Sequence, residues 1–239
     1  MTNVGIILAG GSGQRMGANL PKQFIEILGK PIIAYTLDIY ENHKEIDAIE
    51  VVCKKEYIPL LKNVIKKYNY TKIKWICEGG VDFQHSTING INNLKNELND
   101  EDIVLVHYAV APFTSEHIIS DGIRVSKEKG NSVSASPCLY LVGENGGDHS
   151  NQWVDRDSIM ILNGPQGFRY GYIKQLYEKA IKQNIIDKVE PHTTTLMFYL
   201  GETIYYAAGE QTNIKITTKE DLQLFEGYVL AKNKSSNTR

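Results

Sequence analysis

Strand-like and helix-like runs alternate along almost the whole chain, and this rhythm limits its fold more than any other feature. An apolar start, Ile6-Ile7-Leu8, reads as a strand, and Asp47–Lys54 reads as the next. Tyr57–Tyr68 follows as a helix, with Leu60, Leu61, Val64, Ile65 and Tyr68 at helical spacing. Ile73–Cys77 is then a short strand, and Ser86–Leu98 a helix with Ile88, Ile91 and Leu94 on one face. Ile103–Val110 reads as a buried strand, Ser115–Lys129 as a helix capped by Ser115, and Ser132–Pro137 as a further strand. Beyond residue 169 the pattern predicts a helix over Tyr170–Gln183, a strand over Thr203–Ala208 and a last helix over Glu220–Lys232, with Asn233–Arg239 a frayed polar tail. Such a succession implies an α/β fold with a mostly parallel, twisted sheet and helices on both faces. Ligand sites are then expected at the carboxyl ends of the strands.

The rhythm breaks between Leu139 and Gly164. Gly143, Gly146, Gly147, His149 and Asn151 form a polar stretch between Tyr140 and Trp153, which predicts a protruding β-arm. The arm is either a plain surface ribbon or a dimerisation element, because a two-stranded ribbon is marginal alone and gains by packing on a second subunit. A chain of 239 residues with no internal repeat and no long linker fits one domain. The net charge of -2 argues against a general nucleic-acid binder. Cys53, Cys77 and Cys138 lie far apart in apolar runs, as buried thiols rather than metal ligands or a disulfide framework. No apolar run reaches the 18 or so residues of a membrane span, and no signal peptide is recognisable, so a cytoplasmic protein is expected.

The chemistry concentrates at the end of the first strand, in Gly5–Phe24, GIILAGGSGQRMGANLPKQF. Gly10, Gly11 and Gly13 let backbone N–H groups turn towards an anion. Arg15 and Lys22 add cations that meet triphosphate charge. A dinucleotide fingerprint is excluded because the third glycine of G-x-G-x-x-G is missing, and a Walker loop because Lys22 is too distant and is followed by Gln23. The string resembles the N-terminal signature of nucleotidyltransferases that couple a nucleoside triphosphate to a sugar or alditol phosphate.

Further anchors follow in order: Gly79-Gly80 with Ser86, Val104–Phe113 (VLVHYAVAPF), Val154–Asp157 (VDRD), Gly164–Phe168 (GPQGF) and Asn213–Thr217 (NIKIT). With these the chain resembles the cytidylyltransferase family of methylerythritol-phosphate and ribitol-5-phosphate cytidylyltransferases over Gly5 to about Leu230. The resemblance implies a single Rossmann-like nucleotidyltransferase domain over residues 1–239, with 139–163 as a dimerisation and substrate arm. It implies CTP and a phosphorylated small molecule as partners, with Mg²⁺ held largely by the CTP phosphates, in a homodimer. It places Leu8, Ala9, Gly10, Gly11, Ser12, Gly13, Gly80 and Ser86 on the nucleotide, the last two at the cytosine. Arg15, Lys22 and Lys215 become catalytic cations, and Tyr108, Ala111, Arg156, Gly164 and His192 face the acceptor, Arg156 from the arm and reaching a neighbouring subunit.

The chain also departs from the family pattern. Where the family reads His-Asp-Ala-x-Arg-Pro, this sequence has His107-Tyr108-Ala109-Val110-Ala111-Pro112. A metal-linked aspartate is thus Tyr108 and an arginine is Ala111; a second such aspartate is Thr212, and the arginine after the paired glycines is Phe83. Leu141 and Gly164 replace polar groups, and an acidic pair is His192-Thr193. These changes cluster on the acceptor and metal side and leave the CTP side intact, which predicts an altered acceptor and poor use of methylerythritol phosphate. The competing readings are a non-catalytic CTP-binding protein, a methylerythritol-phosphate cytidylyltransferase of isoprenoid synthesis, and a new metal site at His107 and His192.

Overall fold

The computed structural model describes residues 1–11 and 20–236. The chain opens with β1 (Asn3–Ala9), makes a small hairpin of β2 (Glu26–Ile27) and β3 (Lys30–Pro31), and enters α1 (Ile32–Asn42). Then come β4 (Ala48–Cys53), α2 (Ile58–Tyr68), β5 (Ile73–Glu78), α3 (Phe83–Asn93), β6 (Ile103–Tyr108), α4 (Glu116–Lys129) and β7 (Asn131–Pro137). β8 (Val142–Gly143) and β9 (Trp153–Val154) pair only with each other, antiparallel, as the arm. The chain ends with β10 (Met160–Arg169), α5 (Tyr170–Lys182), α6 (Thr193–Tyr199), β11 (Tyr206–Ala207) and α7 (Lys219–Ser236).

Seven strands form one sheet in the order β11-β7-β10-β6-β1-β4-β5, in which β10 alone runs antiparallel to its neighbours. Side chains alternate across β1. Val4, Ile6 and Leu8 enter a core shared with α3, α5 and α6, whereas Ile7 and Ala9 enter the core under α1, α2 and α4. Both faces are therefore covered, as near-continuous apolar strands require. Gly5 is dictated by this packing, since a Cβ there would lie 2.5 Å from the buried Tyr40 ring. A third cluster, with Ile27, Ile32, Val110, Phe113, Ile216, Phe225 and Val229, seats α7 against the β2–β3 hairpin and the segment after β6.

The elements read from the sequence are present, with corrections. The third helix starts at Phe83 rather than Ser86, because Asp82 caps it by accepting the His85 N–H, and it ends at Asn93 rather than Leu98. The predicted strand at 203–208 shrinks to Tyr206–Ala207, with the next amide, Ala208 N–H, given to Asp121. Residues 160–163, read as arm, belong to β10, so the excursion is shorter than expected. α7 continues to Ser236, through part of the expected tail. Helices α1 and α6 were not anticipated. Ser115 caps α4 as expected, and Gly130 ends that helix with φ at 91°. Cys53 and Cys138 are buried free thiols, and Cys77 is half-buried. Among the described residues no helix is long and apolar enough to cross a membrane.

Candidate functional site

The carboxyl ends of the parallel strands converge on a cavity of about 370 Å³. Leu8 and Ala9 at the end of β1, Gly10 and Gly11 beyond it, Lys54 beyond β4, Tyr108 at the end of β6, and Lys22, Ser86, His192 and Lys215 line it. Its floor is pinned by Gln23, a buried side chain whose Nε2 donates to Ala9 O at 2.7 Å and to Gly11 O at 3.1 Å. Gln23 thereby shapes the glycine turn through the main chain, a role the sequence reading did not assign although it quoted Pro-Lys-Gln-Phe. Behind the lining residue Ser86, the Gly80 N–H donates to Ser86 Oγ at 3.1 Å. A Cβ at Gly80 would come within 2.6 Å of the His85 carbonyl carbon, so a side chain there is blocked. One at Gly10 would lie 3.1 Å from Ser86 Oγ and would push that hydroxyl aside.

Lys22 and Lys215, distant in sequence, meet at this cavity. Lys22 Nζ donates to Ile216 O at 2.9 Å, next to Lys215 in the chain. Lys215 Nζ stands 3.8 Å from the centre of the Tyr108 ring, a close cation–π contact. The Lys215 segment is itself fastened. Buried Asn213 donates to Gly164 O at 2.8 Å and accepts from Thr114 Oγ1 at 2.9 Å, and Ile216 N–H donates to Val110 O.

Three residues that depart from the family pattern form one aromatic wall. Phe83 lies 5.3 Å from Tyr108 and 5.2 Å from His192 between ring centres, and Tyr108 Oη is 3.2 Å from His192 Nδ1. Burial, then Glu190, pushes the Tyr108 phenol up to about 12, so it is a neutral hydroxyl. Burial, then Lys215, holds the His192 imidazole below its usual value, against the opposing pull of Glu190. Beyond this wall lies a second cavity of about 290 Å³ that shares Tyr108, His192 and Lys215 with the first. Its further lining, Leu162, Asn163, Gln166, Glu190, Thr194 and Thr195, comes from β10 and from the start of α6 with the turn before it. None of these six was singled out from the sequence, and α6 was the element missed.

Other expected residues lie elsewhere. Ala111 and Gly164 line neither cavity; they form the layer beneath. Ala111 is buried and its carbonyl faces His107 Nε2 at 3.3 Å, while a Cβ on Gly164 would lie 2.5 Å from His107 Nδ1. His107 is therefore an internal hub, paired also with Thr114 Oγ1 at 2.9 Å and driven down to about 4 by burial. His107 bonds through Nε2 in the core and His192 through Nδ1 to Tyr108, and neither belongs to a group of three or more possible ligands among the described residues. Arg156 is exposed on the turn after the arm, donating to Leu139 O at 3.3 Å, outside both cavities of its own chain. Ser12, Gly13 and Arg15 lie outside the described residues.

The first cavity has Asp82 as its one lining carboxylate, and that group already caps α3 and faces the His85 ring at 2.9 Å. Among the described residues, the one His/Asp/Glu/Cys group close enough to share an ion is Asp82, His85 and Asp187, where Asp187 stands 3.8 Å from the other His85 nitrogen. With tyrosine and threonine at 108 and 212, the cavity offers no carboxylate pair for Mg²⁺, which demands near-octahedral oxygen ligands.

Comparison with known proteins agrees with this geometry. The family described as IspD, 2-C-methyl-D-erythritol 4-phosphate cytidylyltransferase, matches residues 4–231. Ribitol-5-phosphate cytidylyltransferase of Lacticaseibacillus paracasei is 37% identical over 228 residues, covering 95% of this chain and 97% of that protein. The 2-C-methyl-D-erythritol 4-phosphate cytidylyltransferase of Clostridium perfringens is 40% identical over 227 residues, covering 95% and 98%. The crystal structure of 4-diphosphocytidyl-2C-methyl-D-erythritol synthase from Anaerococcus prevotii superposes with a TM-score of 0.79 at 27% identity, over 96% of each chain. The fold, the glycine turn with its two lysines and these matches together make the chain a nucleotidyltransferase, a member of the IspD family of cytidylyltransferases.

Proposed function

We propose that this enzyme transfers CMP from CTP to an alditol phosphate of the ribitol 5-phosphate kind, yielding a CDP-alditol for a surface polysaccharide. An oxygen of the acceptor phosphate attacks the α-phosphorus of CTP. A new P–O bond forms, the bond from the α-phosphorus to the bridging oxygen breaks, and pyrophosphate leaves with the electron pair. The protein's part is alignment and neutralisation of charge. Lys22 and Lys215 flank the α-phosphate, the turn at Gly10–Gly11 supports the triphosphate, and Gly80 with Ser86 holds the cytosine. Magnesium enters bound to the CTP phosphates and water.

The observation that carries the acceptor reading is the Phe83–Tyr108–His192 wall at the junction of the two cavities. Groups charged in the family pattern are here aromatic or neutral, so the acceptor is read by hydroxyls and ring faces rather than by ion pairs. Identity alone does not separate the two acceptors, since relatives of both kinds lie at 37% and 40%. The arm supports a dimer, because Leu139, Tyr140, Leu141 and Trp153 on it are all exposed in the single chain and Arg156 follows it. Pyrophosphate release with CTP, magnesium and a panel of alditol and sugar phosphates tests the reading. Ribitol 5-phosphate is expected to exceed methylerythritol 4-phosphate by at least about tenfold in kcat/KM. The reverse order refutes the acceptor, and tight CTP binding without any turnover makes this a nucleotide-binding protein.

A further inference from the structure

Among the groups lining the second cavity, Gln166 is the one left incomplete. The residue is 4% exposed, and its buried side-chain oxygen meets no donor among the described residues. It stands on β10 opposite Val106, two places before the core residue Phe168 and on the same face of the sheet. Its cross-strand neighbours Val106 and Val133 are both apolar, and a buried amide oxygen without a donor is destabilising where a methionine or leucine would not be. The register shift between Asn163 and Gln166 sets this amide at the cavity edge, with Glu190, Thr194 and Thr195 across from β10. A buried polar atom without a partner, on a residue lining a cavity with three hydroxyls, an amide, a carboxylate, an imidazole, one lysine and one leucine, is suited to receiving a ligand hydroxyl.

Building on the acceptor reading above, we infer that Gln166 is a specificity-determining residue whose side-chain oxygen accepts a hydrogen bond from one hydroxyl of the acceptor's alditol chain. The acceptor phosphate stays at Lys215, the cation common to both cavities. The polyol chain then runs past Tyr108 and His192 into the cleft between β10 and α6, where Glu190, Thr194 and Thr195 meet further hydroxyls. Specificity of this kind is strong, because a site built around a hydroxyl penalises an analogue that lacks it.

The test pairs a side-chain change with an atom change in the acceptor. Gln166→Met keeps length and removes the amide. Ribitol 5-phosphate should show a KM roughly tenfold higher, with the KM for CTP unchanged and the melting temperature equal or raised, since an apolar isostere relieves the unpaired oxygen. Of the four monodeoxy ribitol 5-phosphates, one should suffer a similar loss in the wild type and none relative to ribitol 5-phosphate in Gln166→Met. Equal deoxy penalties in both proteins overturn the assignment, as does a raised CTP KM with a lowered melting temperature, which marks a purely structural amide. Failure of the two readings is distinguishable. Wild type that neither binds ribitol 5-phosphate by calorimetry nor turns it over removes the acceptor reading and this one with it. Normal wild-type turnover with an unaffected Gln166→Met variant removes this one alone.

Discussion

The two cavities meet at Tyr108, His192 and Lys215, yet they are built from different material. The first includes the glycine turn at Gly10 and Gly11, with the carbonyls of Ala9 and Gly11 held by Gln23, and Ser86, whose hydroxyl receives the Gly80 amide. The second takes its further lining from β10, α6 and the adjoining turn, with hydroxyls, amides and a carboxylate. A substitution at the glycine turn disturbs the path of the backbone, whereas one in the β10 or α6 lining changes which groups face the cavity. On the function proposed above, a fixed cradle serves the donor, and the departures at Tyr108 and His192, which line both cavities, change what meets the acceptor.

The comparison is broken most severely at the lysines. Lys22→Ala or Lys215→Ala should each lower kcat by about 10²-fold or more, the scale for losing one preorganised electrostatic contact to a transition state. Lys215→Ala should also weaken the acceptor, because that cation faces both cavities, whereas Lys22→Ala should leave acceptor KM near normal. Steady-state kinetics with each substrate varied in turn check the split; identical profiles for the two variants would remove the division of labour. Tyr108→Asp comes next. It deletes the ring under Lys215 and the phenol beside His192, and should raise acceptor KM by roughly tenfold without tightening magnesium dependence. Magnesium titration of that variant decides. A lower magnesium requirement with unchanged acceptor KM would mean that position 108 still belongs to the metal.

Much of the nucleotide side was legible in the sequence because its signals are local. A strand, a glycine turn and Pro-Lys-Gln lie within twenty or so residues, and the parallel sheet follows from periodicity. Phe83, Tyr108 and His192 were each visible as departures, but nothing local announces that they touch, since the contacts join α3, β6 and the cap of α6. α6 itself has seven residues and carries three threonines, too short and too polar for a periodic signal. α1 hid for the opposite reason, with Ile32, Ile33, Ala34, Thr36, Leu37 and Tyr40 all buried and little polar face to mark its period. β10 contains Gly164, Pro165 and Gly167, which read as turn punctuation but tolerate an antiparallel strand between β6 and β7. Gln166 escaped because one polar residue in a glycine-proline context carries no sign of burial.

A smaller effect tests where the arm belongs in this comparison. Arg156→Ala should raise acceptor KM several-fold to tenfold and leave CTP binding unchanged if Arg156, which lies outside both cavities of its own chain, serves a partner's site as proposed. Removing residues 143–151 should keep the sheet folded, since the ribbon pairs only with itself, while weakening dimerisation. Sedimentation and kinetics on the same samples decide. A fully active monomer would detach Arg156 and the arm from the acceptor side altogether.

The smallest expected effect on activity falls on Glu50, which lines neither cavity and faces α3 from β4, and it concerns stability alone. Glu50 stands on β4, fully buried, with Oε1 accepting from Asn93 Nδ2 at 2.8 Å and Oε2 without a partner among the described residues. Burial pushes its carboxyl up to about 8, only partly opposed by Asn93 and by the neighbouring Cys77. The folded protein therefore holds a proton that the unfolded chain, with an ordinary carboxyl, releases near pH 4.5. Between these two values the native state binds more protons, so unfolding free energy falls as pH rises, and it levels off above about 8. The contribution is complete below the unfolded value and lost by the folded one. Glu50→Gln keeps the acceptor for Asn93 and removes the ionisation. Its melting temperature should match the wild type near pH 4 and exceed it increasingly up to pH 8 or 9, with KM for CTP and acceptor unchanged throughout. Parallel melting curves across that range would show that Glu50 is solvated by opening of the β4–α3 packing. That packing would then be less rigid than the full burial of Glu50 implies.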